Sequence, residues 1–84
     1  METKKNIVGV TVGGEPYKLK GDQDPERVQR VAHFLDERLR STERSYPQLS
    51  PVRTAVLTGL NLADDYLQLQ EDYQQLLAMV RQTR

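Results

Sequence analysis

At 84 residues the chain makes one domain, close to the size at which a single hydrophobic core is marginal, and it has no cysteine for disulfides or thiolate–metal ligation. Twelve basic and twelve acidic side chains cancel, which argues against a general nucleic-acid binder. No apolar run approaches the ~20 residues of a membrane span, and Met-Glu-Thr-Lys-Lys-Asn leads into only a short apolar stretch, so neither a membrane anchor nor a signal peptide is expected and the compartment read from the sequence is the cytoplasm.

Residues 1–5 are polar. From Asn6 to Val12 the chain is β-branched, with Val8, Val10 and Val12 on one face and Ile7, Gly9 and Thr11 on the other. Gly13-Gly14 accepts positive φ and predicts a tight reversal, after which Tyr17 and Leu19 alternate with Lys18 and Lys20. This is a β-hairpin. A lone hairpin is marginal in water, so it needs a helix beneath it or strands from a second subunit beside it.

Gly21-Asp22-Gln23-Asp24-Pro25 reads as a turn into a first helix, with Asp24 as the cap, Pro25 as the first helical residue and Glu26 placing negative charge in the first turn. Val28, Val31, Ala32, Leu35 and Leu39 form an amphipathic stripe, and Arg30, Glu37, Arg40, Glu43 and Arg44 make the outer face. Tyr46-Pro47-Gln48-Leu49 breaks this helix. Ser50-Pro51 then opens a second one, which the sequence allows to run unbroken for about 32 residues, or ~48 Å.

Along that second helix Ala55, Gly59, Leu62, Tyr66, Leu69, Tyr73, Leu76 and Val80 recur at alternating steps of four and three, the seam of a coiled coil. A second stripe of Val56, Leu60, Ala63 and Leu67 fades where Gln70 and Gln74 take its places. The expected architecture is α+β with ββαα order: a head over residues 1–62 and a coiled-coil extension over 63–84 that meets another chain. Tyr66 and Tyr73 are spaced as seam residues, and that favours an oligomer contact over an aromatic strip for bases or peptide.

Chemistry finds little support. His33 is the only histidine, and Asp36 and Glu37, at i+3 and i+4 on the same helix, are the nearest carboxylates. Such a grouping on an exposed helix reads as ordinary surface. Asp64 and Asp65 point about 100° apart and read as solvated. Gly13-Gly14 lacks the lysine and the following helix of a phosphate loop. No catalytic, cofactor-binding or metal-ligating residue is assigned. Lys4, Lys5, Lys18 and Lys20 make the hairpin basic, while Asp64, Asp65, Glu71 and Asp72 make the middle of the long helix acidic; the lysines read either as ordinary solubility or as a positive surface that the head offers to an acidic partner.

At the start of the long helix, the segment from Arg53 to Ala63 resembles the hallmark of the ZapA family of bacterial cell-division proteins, with Gly59-Leu60-Asn61-Leu62-Ala63 and Asp65-Tyr66 in the places of its core. Val10-Thr11-Val12-Gly13-Gly14 with Tyr17-Lys18-Leu19 is similar to that family's hairpin, and Val31-Ala32, Leu35-Asp36 and Leu39 to its first helix. The resemblance covers roughly Val8 to Leu69. It implies an intertwined homodimer of heads, with long helices that pair further into a homotetramer. It also implies a non-enzymatic function: binding and crosslinking filaments of the tubulin-like GTPase FtsZ at midcell, with no nucleic acid or membrane as partner.

Carried over residue by residue, the filament contact falls on Glu15, Lys18, Lys20, Val52, Arg53 and Leu57, and Asn61 becomes a helical amide that fixes register at the dimer interface. Three departures stand out. Glutamate at 15 lies near where the family often has arginine. Gly59 replaces the usual alanine, which weakens a helix by about 1 kcal/mol. The sequence ends at Arg84, so the coiled coil is expected to be shorter than in the family's long members. The rival class is a ribbon-helix-helix DNA-binding regulator, against which stand the glycine-glycine hairpin, the zero net charge and the length of the second helix.

Overall fold

The computed structural model describes residues 6–82 and has strands β1 (Asn6–Val12) and β2 (Glu15–Gly21) followed by helices α1 (Pro25–Ser45) and α2 (Pro51–Gln82). The ββαα order and the α+β class are those expected from the sequence. By internal contacts the chain divides into two compact units between Leu49 and Ser50.

In the first unit β1 and β2 pair antiparallel, from Asn6 opposite Gly21 to Val12 opposite Glu15. Gly13 and Gly14 close the hairpin at φ +62° and +81°, the two positive values that a two-residue turn of matching twist requires. Cross-strand partners share a face, so Val8, Val10 and Val12 stand with Leu19, Tyr17 and Glu15, and Ile7 and Gly9 with Lys20 and Lys18. Helix α1 packs against β1. Val8, Val10 and Ala32 are buried between them, with Val12 and Val28 packed around. The helix supplies the support that a two-stranded ribbon lacks.

Both sheet edges are managed. The Gln29 side-chain amide donates to the Gly9 carbonyl at 2.8 Å, which occupies the outer edge of β1. The Gly9–Lys18 pair therefore turns its backbone groups outward, and by the two-residue alternation so does the pair of Thr11 and Pro16. Pro16 thus sits where a missing N–H breaks no ladder bond, and Lys18 and Lys20 charge the rest of that edge.

At the start of α1, Asp24 is the N-cap residue and Pro25 lies in the first turn, both as expected, but the Asp24 side chain makes no capping hydrogen bond. The Asp24 carbonyl instead accepts the Val28 N–H at 3.1 Å, the ordinary first bond of the helix. Asp36 is also corrected, while Arg40 lies on the exposed face as expected. Asp36 does not group with His33 and Glu37 on the outer face but is buried, and Arg40, though exposed, donates to it at 2.8 Å. His33 and Glu37 remain on the surface at 4.0 Å from each other, as the sequence suggested for them.

In the second unit Ser50 caps α2 as its position before Pro51 predicts, its hydroxyl accepting the Arg53 N–H at 3.2 Å. The buried residues of α2 are Thr54 and Thr58, which the apolar periodicity does not pick out. Each hydroxyl donates to the carbonyl four residues back, Thr54 to Ser50 at 2.9 Å and Thr58 to Thr54 at 2.8 Å. The helix backbone thereby satisfies polar groups that would otherwise be costly to bury.

Candidate functional site

The candidate contact residues fall in both units. On β2, Lys18 and Lys20 share the outer face with Ile7, whereas Glu15 alternates onto the inner face, opposite Val12 and next to the turn. All three are exposed. Lys4 and Lys5, which the sequence adds to this basic surface, lie outside the described residues. Within α2, Val52 and Arg53 are exposed in the first turn, and Leu57, four residues after Arg53, is half-buried.

The hairpin tip is held by α1. Asp36 accepts the Gly13 N–H through Oδ1 at 2.8 Å, and its Oδ2 accepts from Arg40 Nε, also at 2.8 Å. The backbone N–H is the largest cause of a carboxyl pKa below the usual value of 3.8, and the Arg40 guanidinium adds to it, with a smaller pull from His33. Asp36 sits one helical turn after Ala32, which itself follows Val28 by one turn. An acid in the row of core residues, Val28, Ala32 and Asp36, is the sequence signal that marks it.

The sign of the pKa shift sets a prediction. A depressed folded pKa means that Asp36 adds stability above the unfolded value and loses it as pH falls through the folded one. Asp36→Asn is expected to be less stable than wild type at neutral pH, with the gap narrowing as pH drops below about 4. Urea titrations at pH 7, 4 and 2.5 measure it. A gap that is constant across that range means that ionised Asp36 contributes nothing.

The first unit also presents apolar surface that its own chain does not cover. A groove of about 590 Å³ opens between the hairpin and α1, lined by Tyr17, Leu19, Val28, Val31 and Leu35 among others. Tyr17 and Leu19 face inward yet remain 50% and 46% exposed, because α1 lies over β1.

The seam residues of α2 are uncovered as well. Tyr66, Leu69, Tyr73, Leu76 and Val80 are exposed, Leu69 at 68%. Ala55, Gly59 and Asn61 are exposed too, while Leu62 is half-buried. A Cβ added at Gly59 would meet nothing within 4 Å. The Tyr66 hydroxyl accepts from Gln70 Nε2 at 3.3 Å, so the ring can turn its apolar part to a neighbour while its polar end stays on the helix. Among the described residues no group of three His, Asp or Glu side chains could hold a metal, and no helix is long and apolar enough to cross a membrane.

The sequence model of the family described as "Cell division protein ZapA" matches residues 8–84. The ZapA protein of Geobacillus thermodenitrificans is 34% identical over 80 residues, spanning 95% of this chain and 88% of its own length. That of Bacillus thuringiensis strain Al Hakam is 33% identical over 73 residues, covering 87% and 82%. Among solved structures, a ZapA mutant dimer from Geobacillus stearothermophilus superposes with a TM-score of 0.71 at 32% identity, over 95% of this chain and 93% of that one. With the family model matching residues 8–84 and relatives above 30% identical covered over most of their length, this chain belongs to the ZapA family of cell division proteins.

Proposed function

We propose that this protein crosslinks FtsZ filaments at midcell in the cytoplasm and has no catalytic activity of its own. Two copies join through their heads, residues 1–62, and the helix over residues 63–84 carries the coiled coil that pairs dimers into a tetramer. The observation that carries this reading is the amount of apolar surface one chain leaves uncovered: the groove beside β2 and the α2 seam from Tyr66 to Val80. Surface of that size and periodicity is what self-association buries. Solved as a dimer, the relative from Geobacillus stearothermophilus supports it. A symmetric oligomer presents its filament-binding surface more than once. Weak contacts on one rigid body gain by effective concentration, and this suits bridging.

Glu15, Lys18 and Lys20 on the hairpin, with Val52, Arg53 and Leu57 on α2, form the contact. Lys18 and Arg53 supply attraction to an acidic surface that weakens as salt rises. The test is co-sedimentation with GTP-assembled FtsZ from the same organism. Wild type is expected in the pellet together with additional FtsZ, and Lys18→Glu and Arg53→Glu are each expected to reduce binding by about tenfold, the effect of turning a close attraction into a repulsion. Wild-type protein that stays in the supernatant at every concentration removes the function.

A further inference from the structure

We propose that Asp36 is a positioning residue for partner binding: its carboxylate latches the hairpin tip to α1 and so sets the direction in which Glu15 and Lys18 are presented. The inference rests on the reading that the hairpin contacts FtsZ. It names a residue that does not itself touch the partner.

A two-stranded hairpin that meets one helix through three buried residues would twist and fray at its tip. This one is tied at three points. Asn6 Nδ2 donates to the Gln23 carbonyl at the open end, Gln29 holds the Gly9 carbonyl in the middle, and Asp36 holds the Gly13 N–H at the tip. The last two come from α1 and are matched in spacing. Gln29 and Asp36 are two helical turns apart, roughly 10.5 Å, and Gly9 and Gly13 are four strand residues apart, roughly 13 Å.

Asp36 makes the strongest of the three ties, since it is a buried carboxylate accepting a backbone N–H. Arg40 engages its second oxygen, so the carboxylate cannot rotate away from Gly13 without breaking that bond. Leu39 closes the same contact, its Cδ1 3.6 Å from where a side chain on Gly13 would begin. The next residues beyond the turn are Glu15 and, three further on, Lys18. A rotation of the tip therefore displaces both while leaving Val8, Val10 and Ala32 in place.

The test compares Asp36→Ala, Asp36→Asn and Arg40→Gln with wild type. Three readouts are used: amide hydrogen exchange at Gly13, oligomeric mass by light scattering, and co-sedimentation with GTP-assembled FtsZ. Wild type should show a protected Gly13 amide. Asp36→Ala should lose that protection, keep its mass, and need about tenfold more protein for half-maximal filament binding, the scale of losing one hydrogen bond to a charged group. Asparagine can still accept the Gly13 N–H, so Asp36→Asn should recover to within about threefold of wild type, a rescue that the loss of charge alone would not give. Arg40→Gln keeps the acceptor but frees its rotation, and it decides the matter if the alanine variant does not fold: it should weaken binding by about threefold with the mass unchanged.

Variants that lose Gly13 protection yet bind filaments as wild type does overturn the positioning role and leave filament binding intact. A wild-type Gly13 amide that exchanges as an open loop overturns the latch itself. Wild type that fails to sediment with FtsZ removes the function and this role with it, and that outcome is distinguished because the unmutated protein already fails.

Discussion

Leu69→Glu is expected to lower the oligomeric mass without unfolding the hairpin and α1. Leu69 lies at the middle of the α2 seam and is 68% exposed in the single chain, which leaves it open to the contact with another copy proposed above. Burying a leucine contributes about 1.5–3 kcal/mol, and in a symmetric pair it is buried twice. Glutamate removes that gain and adds the desolvation of a charge. Association should weaken by about 3–6 kcal/mol, or roughly 10²- to 10⁴-fold. Gln74→Glu is the control, at a position where the second apolar stripe has already faded. Sedimentation velocity across a concentration series reads both. A Leu69→Glu mass equal to that of wild type throughout the series would reject the seam as an oligomer contact. The core of Val8, Val10 and Ala32 belongs to the other unit, so its amide signals should persist in the dissociated variant.

Val10→Asp is expected to abolish folding of the hairpin and α1. Val10 is the least exposed of the three buried hydrophobic residues among the described residues, at 6%. It belongs to the apolar cluster with Val8 and Ala32, so an aspartate there would put a carboxylate among hydrophobic side chains. A cost of about 3–5 kcal/mol is comparable with the whole stability of a domain this small. Ile7→Thr is the informative comparison, because Ile7 is the larger residue in the same strand but points to the other face and is 66% exposed. That change should move stability by less than about 1 kcal/mol. Urea denaturation followed by circular dichroism measures the two. If Ile7→Thr proves the more damaging, the strand is paired one residue out of register, since a slip of one exchanges its two faces.

Most of the local structure was legible in the residue order. The alternation of Val8, Val10 and Val12, the Gly13-Gly14 reversal and the Ser50-Pro51 start act over a few residues, and the structure has each of them where the sequence placed it. The 3.5-residue seam likewise comes down to spacing along one helix. What the sequence misassigned was a position whose role depends on a distant neighbour. Asp36 looked like surface beside His33 because both stand on one helix within a turn of each other.

By itself, then, the sequence determined the order of elements, the faces of the strands, the run of the long helix and the family, because all of these rest on local chemistry and periodicity. Only the tertiary structure decided that Asp36 belongs to the hairpin tip, 23 residues away in the chain, where it meets the Gly13 N–H. It also decided that α1 packs against β1 while Tyr17 and Leu19 stay half open beside the groove. The reason is physical: periodicity states which face of an element is apolar, but how much of that face is covered, and which polar group ends up against which, depends on how elements far apart in sequence are brought together.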